Sequence, residues 1–292
     1  MSQPAQQITE QQGPKVGIFD DVTNEEYHRG IGISKSGLDL IDRSPLHFID
    51  SKHHPRQSTP AMELGTAFHT IILEPDVFER DYVKDPFPGS TAKAAREARE
   101  ELKAKGKTVI HTARDAGYHG KDDWRTLHRM RDAVFAHPLA SVLLDHGQGK
   151  AEQSVYWVDY STRKLCKCRP DFINDAHNIA IDLKSTEDAS FSEFAKSCAK
   201  FRYHVQDPFY RDGLREAGRP VSAFVFIAVE KRPPYGVGIY VLDDEAIRIG
   251  RIQYQNNLET YADCHKADEW PSYPEEVRTL SLPTWGLRGH IS

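Results

Sequence analysis

The sequence predicts an α/β fold in which a central mixed β-sheet is flanked by helices, with a helical elaboration in the N-terminal half. Three observations lead to this fold class. The first half of the chain carries apolar residues at helical spacing. Alternation of apolar and polar residues begins at Glu152. The uninterrupted apolar run over 221–229 is typical of a buried strand.

The first half is predicted to be mainly helical. Ser34 or Ser36 is a candidate N-cap for the first long helix. A polar stretch that contains Pro86 and Pro88 is predicted to be a loop. The predicted helices cover residues 34–50, 61–73, 91–105 and 113–136, with the loop over 76–90 and a short helical turn over 139–145.

The second half is predicted to carry the sheet. Its short apolar stretches are bounded by turn-forming Asn, Asp and His residues, which is typical of strands. The predicted strands begin at Glu152 and continue over 165–173, 179–185, 221–229 and 235–242. Two long helices are predicted over 191–217 and 243–264.

The domain organisation follows from this pattern. No repeat or internal linker is visible, so residues 15–292 are predicted to form a single domain. Its parts are a helical half over 15–150, a sheet-rich half over 151–265 and a Pro-rich tail over 266–292. Residues 1–14 are polar and are predicted to be a disordered tail, since they lack the apolar core of a secretory signal.

Composition limits the class of protein. The chain has 292 residues, of which 39% are hydrophobic, and contains no apolar run long enough to predict a membrane span. Its net charge of −5 argues against a generally basic nucleic-acid binder, although a local basic groove is compatible with it. The four cysteines are expected to be reduced, buried thiols of a cytoplasmic protein, without an iron–sulfur cluster.

Two acids and a lysine form the most informative motif. Asp171 lies in the predicted strand over 165–173, and Asp182-Leu183-Lys184 lies in the next one. Asp182 and Lys184 are two apart, so they share a face of a strand. If the two strands form a hairpin, Asp171 lies beside Asp182. Two carboxylates and a lysine at one end of a sheet predict a Mg²⁺ site suited to phosphodiester hydrolysis.

A helix that follows strengthens this interpretation. Gln206 and Tyr210 are four residues apart and therefore lie on one helical face. They are predicted to position the substrate or brace the site. The alternative is a helix that packs polar side chains against the sheet, just as the alternative for Lys184 is a structural salt bridge.

These motifs resemble the PD-(D/E)XK nuclease superfamily, and the Gln-x-x-x-Tyr helix resembles its RecB-like branch. Three further segments resemble the RecE-like (exonuclease VIII) nuclease domain. They are Tyr27-His28 with Gly32–Leu38 and Ser44-Pro45, Tyr203–Gly213, and Trp270-Pro271 with Leu280–Trp285. The resemblance covers residues 15–287, and it implies a restriction-endonuclease-like core.

The resemblance also implies a function. RecE-like enzymes degrade one strand of linear double-stranded DNA from its 5′ end, leaving a 3′ overhang for a single-strand annealing partner in recombination. They use Mg²⁺, for which Mn²⁺ can substitute, and form ring-shaped homotetramers. A bacterial or phage-encoded cytoplasmic protein is implied. The alternatives are a RecB-like endonuclease or single-strand nuclease, or a DNA-binding recombination protein with a degenerate site.

The resemblance assigns roles to individual residues. Asp171 and Asp182 would be metal ligands, together with the backbone carbonyl of Leu183, and Lys184 would act on the attacking water or the scissile phosphate. His69, in the helix over 61–73, would be a ligand of a second metal. Glu152 is a further candidate metal ligand, and its alternative is an exposed charge at a strand end.

Two groups of basic residues are candidate DNA contacts. Lys167 and Arg169 alternate onto the same strand face as Asp171, where they could hold a phosphate near the metals. Lys93, Arg96 and Lys103 lie on the polar helix over 91–105. That helix is predicted either to contact DNA or to be a solvated helix stabilised by pairs of Glu and Lys.

Overall fold

The structure is a computed structural model that describes residues 16–54, 58–112 and 122–282. The predicted tail over 1–14, the first part of the predicted helix over 113–136 and residues 283–292 lie outside these ranges. The strands are β1 (Gly17–Phe19), β2 (Tyr82–Lys84), β3 (Thr108–Ile110), β4 (Gly149–Ala151), β5 (Ser154–Val158), β6 (Leu165–Cys168), β7 (Phe172–Asn174), β8 (Ile179–Thr186), β9 (Ala223–Glu230) and β10 (Val237–Tyr240).

The helices form most of the rest of the described chain. They are α1 (Asn24–Arg29), α2 (Lys35–Arg43), α3 (Pro45–His53), α4 (Pro60–Leu73), α5 (Pro75–Asp81), α6 (Lys93–Ala104), α7 (Asp123–Ala136), α8 (Pro138–Leu143), α9 (Phe191–Lys200), α10 (Tyr203–Glu216) and α11 (Asp244–Ala267). None of these helices is long and apolar enough to cross a membrane.

A mixed five-stranded sheet lies at the centre, in the order β10-β9-β8-β7-β4. Strands β8 and β9 are parallel, and the other neighbours are antiparallel. The predicted fold class, a central mixed sheet flanked by helices, is therefore confirmed. A three-stranded sheet with the order β1-β5-β6 and a parallel pair of β2 and β3 complete the strand pairing of the described residues.

Alternate residues of the central strands face two separate cores. One core takes Ala180, Phe224 and Phe226 and packs them against α2, α3, α9, α10 and α11. The other takes Ile181 and Leu183 and packs them against α4, α5, α7 and α8. The helices of the N-terminal half thus cover both faces of the sheet.

Two predicted helices are broken in the structure. The helix expected over 34–50 divides at Ser44, which has extended backbone angles and caps α3 by accepting a hydrogen bond from the His47 amide. Pro45 explains the break, because a residue that precedes proline is disfavoured in the helical region. The helix expected over 191–217 divides at Arg202, a non-glycine residue in the left-handed conformation with φ of 56°.

Two predictions near the site were wrong in detail. The predicted loop over 76–90 contains most of α5 and all of β2. The predicted strand over 165–173 divides into β6 and β7, which belong to different sheets. Pro170 lies at the division, and since proline has no N–H it cannot continue the hydrogen-bond ladder.

The described part of the Pro-rich tail packs against α3. The indole of Trp270 stacks on the ring of Phe48 with 5.5 Å between the centroids. The Leu46 amide donates to the carbonyl of Pro271 at 3.0 Å. These contacts hold the chain after α11 against the same layer that carries α2.

Candidate active site

The hairpin of β7 and β8 brings the two acids of the motif together. Phe172 pairs with Ile181 in the antiparallel ladder, so Asp171 continues the register opposite Asp182. Both carboxylates are nearly buried, with 8% of Asp171 and 3% of Asp182 exposed. Because β6 ends at Cys168 and β7 begins at Phe172, Asp171 lies at the junction between the two sheets and not inside a strand.

The Asp171 carboxylate lies between a backbone amide and an imidazole. Its Oδ2 accepts a hydrogen bond from the Leu183 amide at 2.6 Å and lies 3.5 Å from Nδ1 of His69. Burial would raise the pKa of Asp171, but His69, Lys184 and the Leu183 amide together hold it below its usual value. The group of Leu183 that contacts Asp171 is thus its backbone amide. The predicted metal ligand was the Leu183 carbonyl, and that assignment stays a prediction.

The Asp182 carboxylate is held by Gln206 and Lys184. Its Oδ1 accepts a hydrogen bond from Nε2 of Gln206 on α10. Its Oδ2 lies 2.5 Å from Nζ of Lys184. Burial raises the pKa of Asp182, and the Asp171 charge acts in the same direction against the effect of Lys184. Gln206 and Lys184 therefore fix the orientation of this carboxylate.

Lys184 lies between a carboxylate and an aromatic ring. Its ammonium is 4.6 Å from the ring centroid of Tyr203, the first residue of α10. Burial would lower the pKa of Lys184, but Asp182 and Asp171 raise it above the usual value. The lysine is therefore held in its charged form beside both acids.

A group of three side chains can hold a metal ion. One ligand atom each from His69, Glu152 and Asp171 lies within 4.8 Å of the others. His69 comes from α4, and Glu152 lies between β4 and β5 with a left-handed backbone (φ of 52°), its amide donating to the Asp171 carbonyl at 3.0 Å. The prediction that a strand begins at Glu152 was wrong, since β5 begins at Ser154. The left-handed backbone at Glu152 forms a turn next to Asp171 instead.

Burial and neighbouring charges shift the pKa values of Glu152 and His69 in this group. Burial, and then the Asp171 charge, raise the pKa of Glu152 to about 8. Burial would lower the pKa of His69, but Asp171 and Asp182 raise it to about 9. Two carboxylates and one imidazole fit a divalent cation in their donor chemistry. Asp182 lies outside this group of three, since its oxygens face Gln206 and Lys184.

A cavity of about 630 Å³ adjoins these residues, and we call it the carboxylate cavity. Its lining includes His69, Glu152, Asp171 and Tyr210. Tyr210 comes from α10, and its ring meets that of Phe224 edge-on at 5.5 Å. The ring of Tyr210 therefore forms part of the cavity wall, one helical turn beyond Gln206.

The two basic residues beside Asp171 are largely occupied by protein groups. Nζ of Lys167 donates to the carbonyls of Tyr27 and Gly30 at 2.5 and 2.6 Å. The guanidinium of Arg169 donates to Oγ of Ser154 at 3.0 Å and to the carbonyl of Val22 at 2.8 Å. Both side chains therefore brace the segment around α1, and their predicted contact with DNA stays a prediction.

The basic residues of α6 lie apart from the acids. Lys93 pairs with Glu97 at 3.6 Å, and Lys103 pairs with Glu100 at 3.1 Å. Arg96 is exposed. None of the three lines the carboxylate cavity. The ion pairs favour the solvated-helix alternative, and a role in DNA binding stays a prediction.

Sequence reasoning did not single out Tyr203 or His28 as site residues. Tyr203 precedes Gln206 by three positions, so the shared helical face was a signal that could have found it. Tyr27 and His28, which belong to one of the RecE-like segments, line the carboxylate cavity. Nothing in their spacing pointed to that placement, because it depends on how the segment around α1 packs against β5 and β6.

The fold and the site together define a domain of the PD-(D/E)XK type. Asp182 and Lys184 lie on the central strand β8, and Asp171 directly precedes the neighbouring strand β7. Helices on both faces of the sheet add His69 and Gln206. The chain belongs to the family described as a PDDEXK-like domain of unknown function (DUF3799), which matches residues 34–283.

Comparison with solved structures agrees with this fold. The crystal structure of a presumed exonuclease from Eubacterium rectale is similar, with a TM-score of 0.61 and 10% sequence identity. The match covers 96% of this chain and 100% of that chain. At this identity the similarity shows the fold. No match was found among curated proteins.

Proposed function

We propose that this protein is a Mg²⁺-dependent exodeoxyribonuclease that degrades one strand of linear double-stranded DNA in the 5′–3′ direction and leaves 3′ overhangs. One observation carries the nuclease part of the proposal. His69, Glu152 and Asp171 form a metal-ligand group that lines the carboxylate cavity, and the ion pair of Asp182 and Lys184 lies on the neighbouring strand β8. Acids for a metal and a partly buried cation for a phosphate thus occur side by side.

The chemistry can be assigned to residues of the chain. A divalent ion held by Asp171, Glu152 and His69, with Asp182 as a proposed further ligand, would stabilise phosphate charge and supply an acidic water. Lys184 is positioned to neutralise charge that develops on the scissile phosphate. Gln206 and the Leu183 amide keep the two carboxylates oriented. Tyr210 is proposed to position the substrate at the cavity wall.

The substrate polarity and the partners are supported by the RecE-like segments. They lead us to propose linear duplex DNA as the substrate, a single-strand annealing protein as partner and a ring-shaped homotetramer as the assembly. A bacterial or phage-encoded cytoplasmic enzyme is proposed on the same ground. Mn²⁺ is proposed to substitute for Mg²⁺, because both take carboxylate and water ligands.

A cleavage assay tests the function. Linear duplex DNA labelled at either the 5′ or the 3′ end is compared with covalently closed circular DNA of the same sequence, in Mg²⁺, Mn²⁺, Ca²⁺ or EDTA. We expect stepwise loss of nucleotides from the 5′ ends of the linear DNA in Mg²⁺ and Mn²⁺ only. Cleavage of the circle would indicate an endonuclease, and binding of DNA without cleavage in any metal would indicate a degenerate site.

A variant pair tests the site. Asp182→Asn keeps the shape of the side chain and should lower kcat by more than about 100-fold, in the range that electrostatic catalytic groups contribute. The control is Asp263→Asn, an exposed acid on α11 that should leave kcat unchanged. Both variants are checked for a wild-type melting temperature. A folded Asp182→Asn variant with substantial activity would contradict the assignment.

A further inference from the structure

A second cavity lies beside the carboxylate cavity. It has a volume of about 380 Å³ and is lined by Lys35, Lys52, Lys167 and Lys184, so we call it the lysine cavity. Both cavities share Tyr27, His28 and Tyr210 in their linings. A ligand that runs past these shared side chains would therefore have one part near the acids and another near the lysines.

The lysine cavity carries an excess of positive charge. Among the described residues that line it, Asp39 is the only acid. Asp39 pairs with Lys35 at 2.7 Å, and Lys184 pairs with Asp182. Lys52 is exposed, lies 5.4 Å from the ring centroid of Phe48, and makes no ion pair within the described ranges. In the part of the chain that the structure describes, the cavity therefore has at least one ammonium group that is not paired with an acid.

Neutral donors converge on the same space. The hydroxyls of Ser34 and Ser36 lie 3.0 Å apart at the start of α2, and both residues line the lysine cavity. The backbone amides of the first helical turn have no acceptor within the helix. The Gly37 amide donates to the N-cap, at 3.4 Å from Oγ of Ser34. Hydroxyls, ammonium groups and a helix N-terminus are the donors that phosphate groups take in proteins.

We propose that the lysine cavity binds a phosphate group of the substrate strand next to the scissile phosphodiester. This inference rests on the proposed nuclease function and extends it by giving the strand a second point of attachment. Lys184 connects the two sites, because it lines the lysine cavity and pairs with the motif acid Asp182. The scissile phosphate would lie at the acids of the carboxylate cavity. The adjacent phosphate of the same strand would bind in the lysine cavity.

Lys52 and Ser36 are the residues to change. Lys52→Ala removes an ammonium that makes no ion pair with any described residue, and Ser36→Ala removes a hydroxyl that contacts Ser34. Ser34 is left intact because it caps α2. Lys266→Ala is the matched control, since this exposed lysine near the end of α11 lines neither cavity.

The first measurement is binding of a duplex end in Ca²⁺ as a function of salt. Each lost phosphate contact should reduce the slope of log K against log salt by about one unit. We expect this reduction for Lys52→Ala and no change for Lys266→Ala. Ser36→Ala should weaken binding without changing the slope, because it removes no charge.

The second measurement is the KM and kcat of cleavage in Mg²⁺ on duplexes with 5′-phosphate or 5′-hydroxyl ends. An increase in KM for Lys52→Ala on the phosphorylated end alone identifies the terminal phosphate as the ligand. An equal increase on both ends identifies an internal phosphate. Both results support the proposal, which requires that kcat change less than KM.

The two proposals fail in different ways. If wild-type protein cleaves DNA while Lys52→Ala and Ser36→Ala leave both KM and binding unchanged, the lysine cavity is not a phosphate site and the nuclease function stands. If wild-type protein cleaves no DNA in any metal, the proposed function is wrong and this inference is wrong with it.

Discussion

The side-chain amide of Gln206 donates a hydrogen bond to Oδ1 of Asp182, across the face of the central sheet that α10 covers. Both groups are buried, with 5% of Gln206 and 3% of Asp182 exposed. Since the other oxygen of Asp182 faces Lys184, the carboxylate has one neutral and one charged partner. Both partners fix the orientation of the Asp182 carboxylate, and of the two only Lys184 offsets its negative charge.

Gln206→Leu should reduce both stability and activity. It leaves Oδ1 of Asp182 buried without its donor, which costs about 1–3 kcal/mol of unfolding free energy. The freed carboxylate should also lower kcat, because its orientation is lost. Urea unfolding and steady-state cleavage measure the two effects. Unchanged kcat in a destabilised variant would show that Gln206 is a packing residue only.

Tyr203 should act through Lys184. Its ring lies 4.6 Å from the ammonium, and such a contact is worth about 0.5–2 kcal/mol. If this energy holds Lys184 in place for the reaction, Tyr203→Leu should lower kcat by about two- to thirtyfold. Tyr203→Phe keeps the ring and should retain activity. Equal losses in both variants would contradict a role for the aromatic face.

His69→Ala distinguishes a metal ligand from a core histidine. About 31% of the His69 side chain is exposed, and it lies in the metal-ligand group. We therefore expect a rate lower by orders of magnitude and a higher Mg²⁺ concentration at half-maximal activity. A titration with Mg²⁺ is measured together with the melting temperature. A lower melting temperature with an unchanged metal response would identify a structural histidine.

The metal-free protein should lose stability as the pH rises. The pKa of His69 is raised from 6.5 to about 9, so the stabilisation by its charged form is complete below pH 6.5 and is lost towards pH 9. The pKa of Glu152 is raised from 4.5 to about 8, so folding favours its protonated form and stability falls over that interval. The melting temperature in EDTA should therefore fall between pH 6.5 and 9.

Two comparisons check the cause of this pH dependence. Glu152→Gln should flatten the decline, whereas Glu259→Gln, at an exposed position on α11, should not. Added Mn²⁺ should raise the melting temperature most at high pH, because both ligands must be deprotonated to bind a metal. A melting temperature of the metal-free protein that is constant over this interval would contradict the assigned charges.

The basic face of α6 is tested separately. If Lys93, Arg96 and Lys103 each contact a phosphate, replacing all three by Gln should reduce the slope of log K against log salt by about three units. Glu97→Gln is a useful control, since it releases Lys93 from its ion pair and should strengthen binding if Lys93 contacts DNA. Unchanged affinity and slope would identify α6 as a solvated helix.

The sequence by itself determined the elements and the core of the motif. An apolar stretch bounded by turn residues predicted β8, an uninterrupted apolar run predicted β9, and the helical spacing of Gln206 and Tyr210 placed both on α10. The turn between the two acid-bearing stretches allowed a hairpin, and Phe172 pairs with Ile181 as a hairpin requires. These features could be predicted because each depends on residues that are near neighbours in the chain.

The tertiary structure decided which distant groups meet. His69 from α4 and Gln206 from α10 approach the acids from opposite faces of the sheet, and the left-handed backbone at Glu152 directs the chain towards Asp171. The donors of Lys167 are directed to carbonyls of the segment around α1, a placement that its strand alternation did not reveal. The periodicity of a strand or a helix predicts which face of that element a residue occupies. Only the packing of separate layers determines what that face contacts.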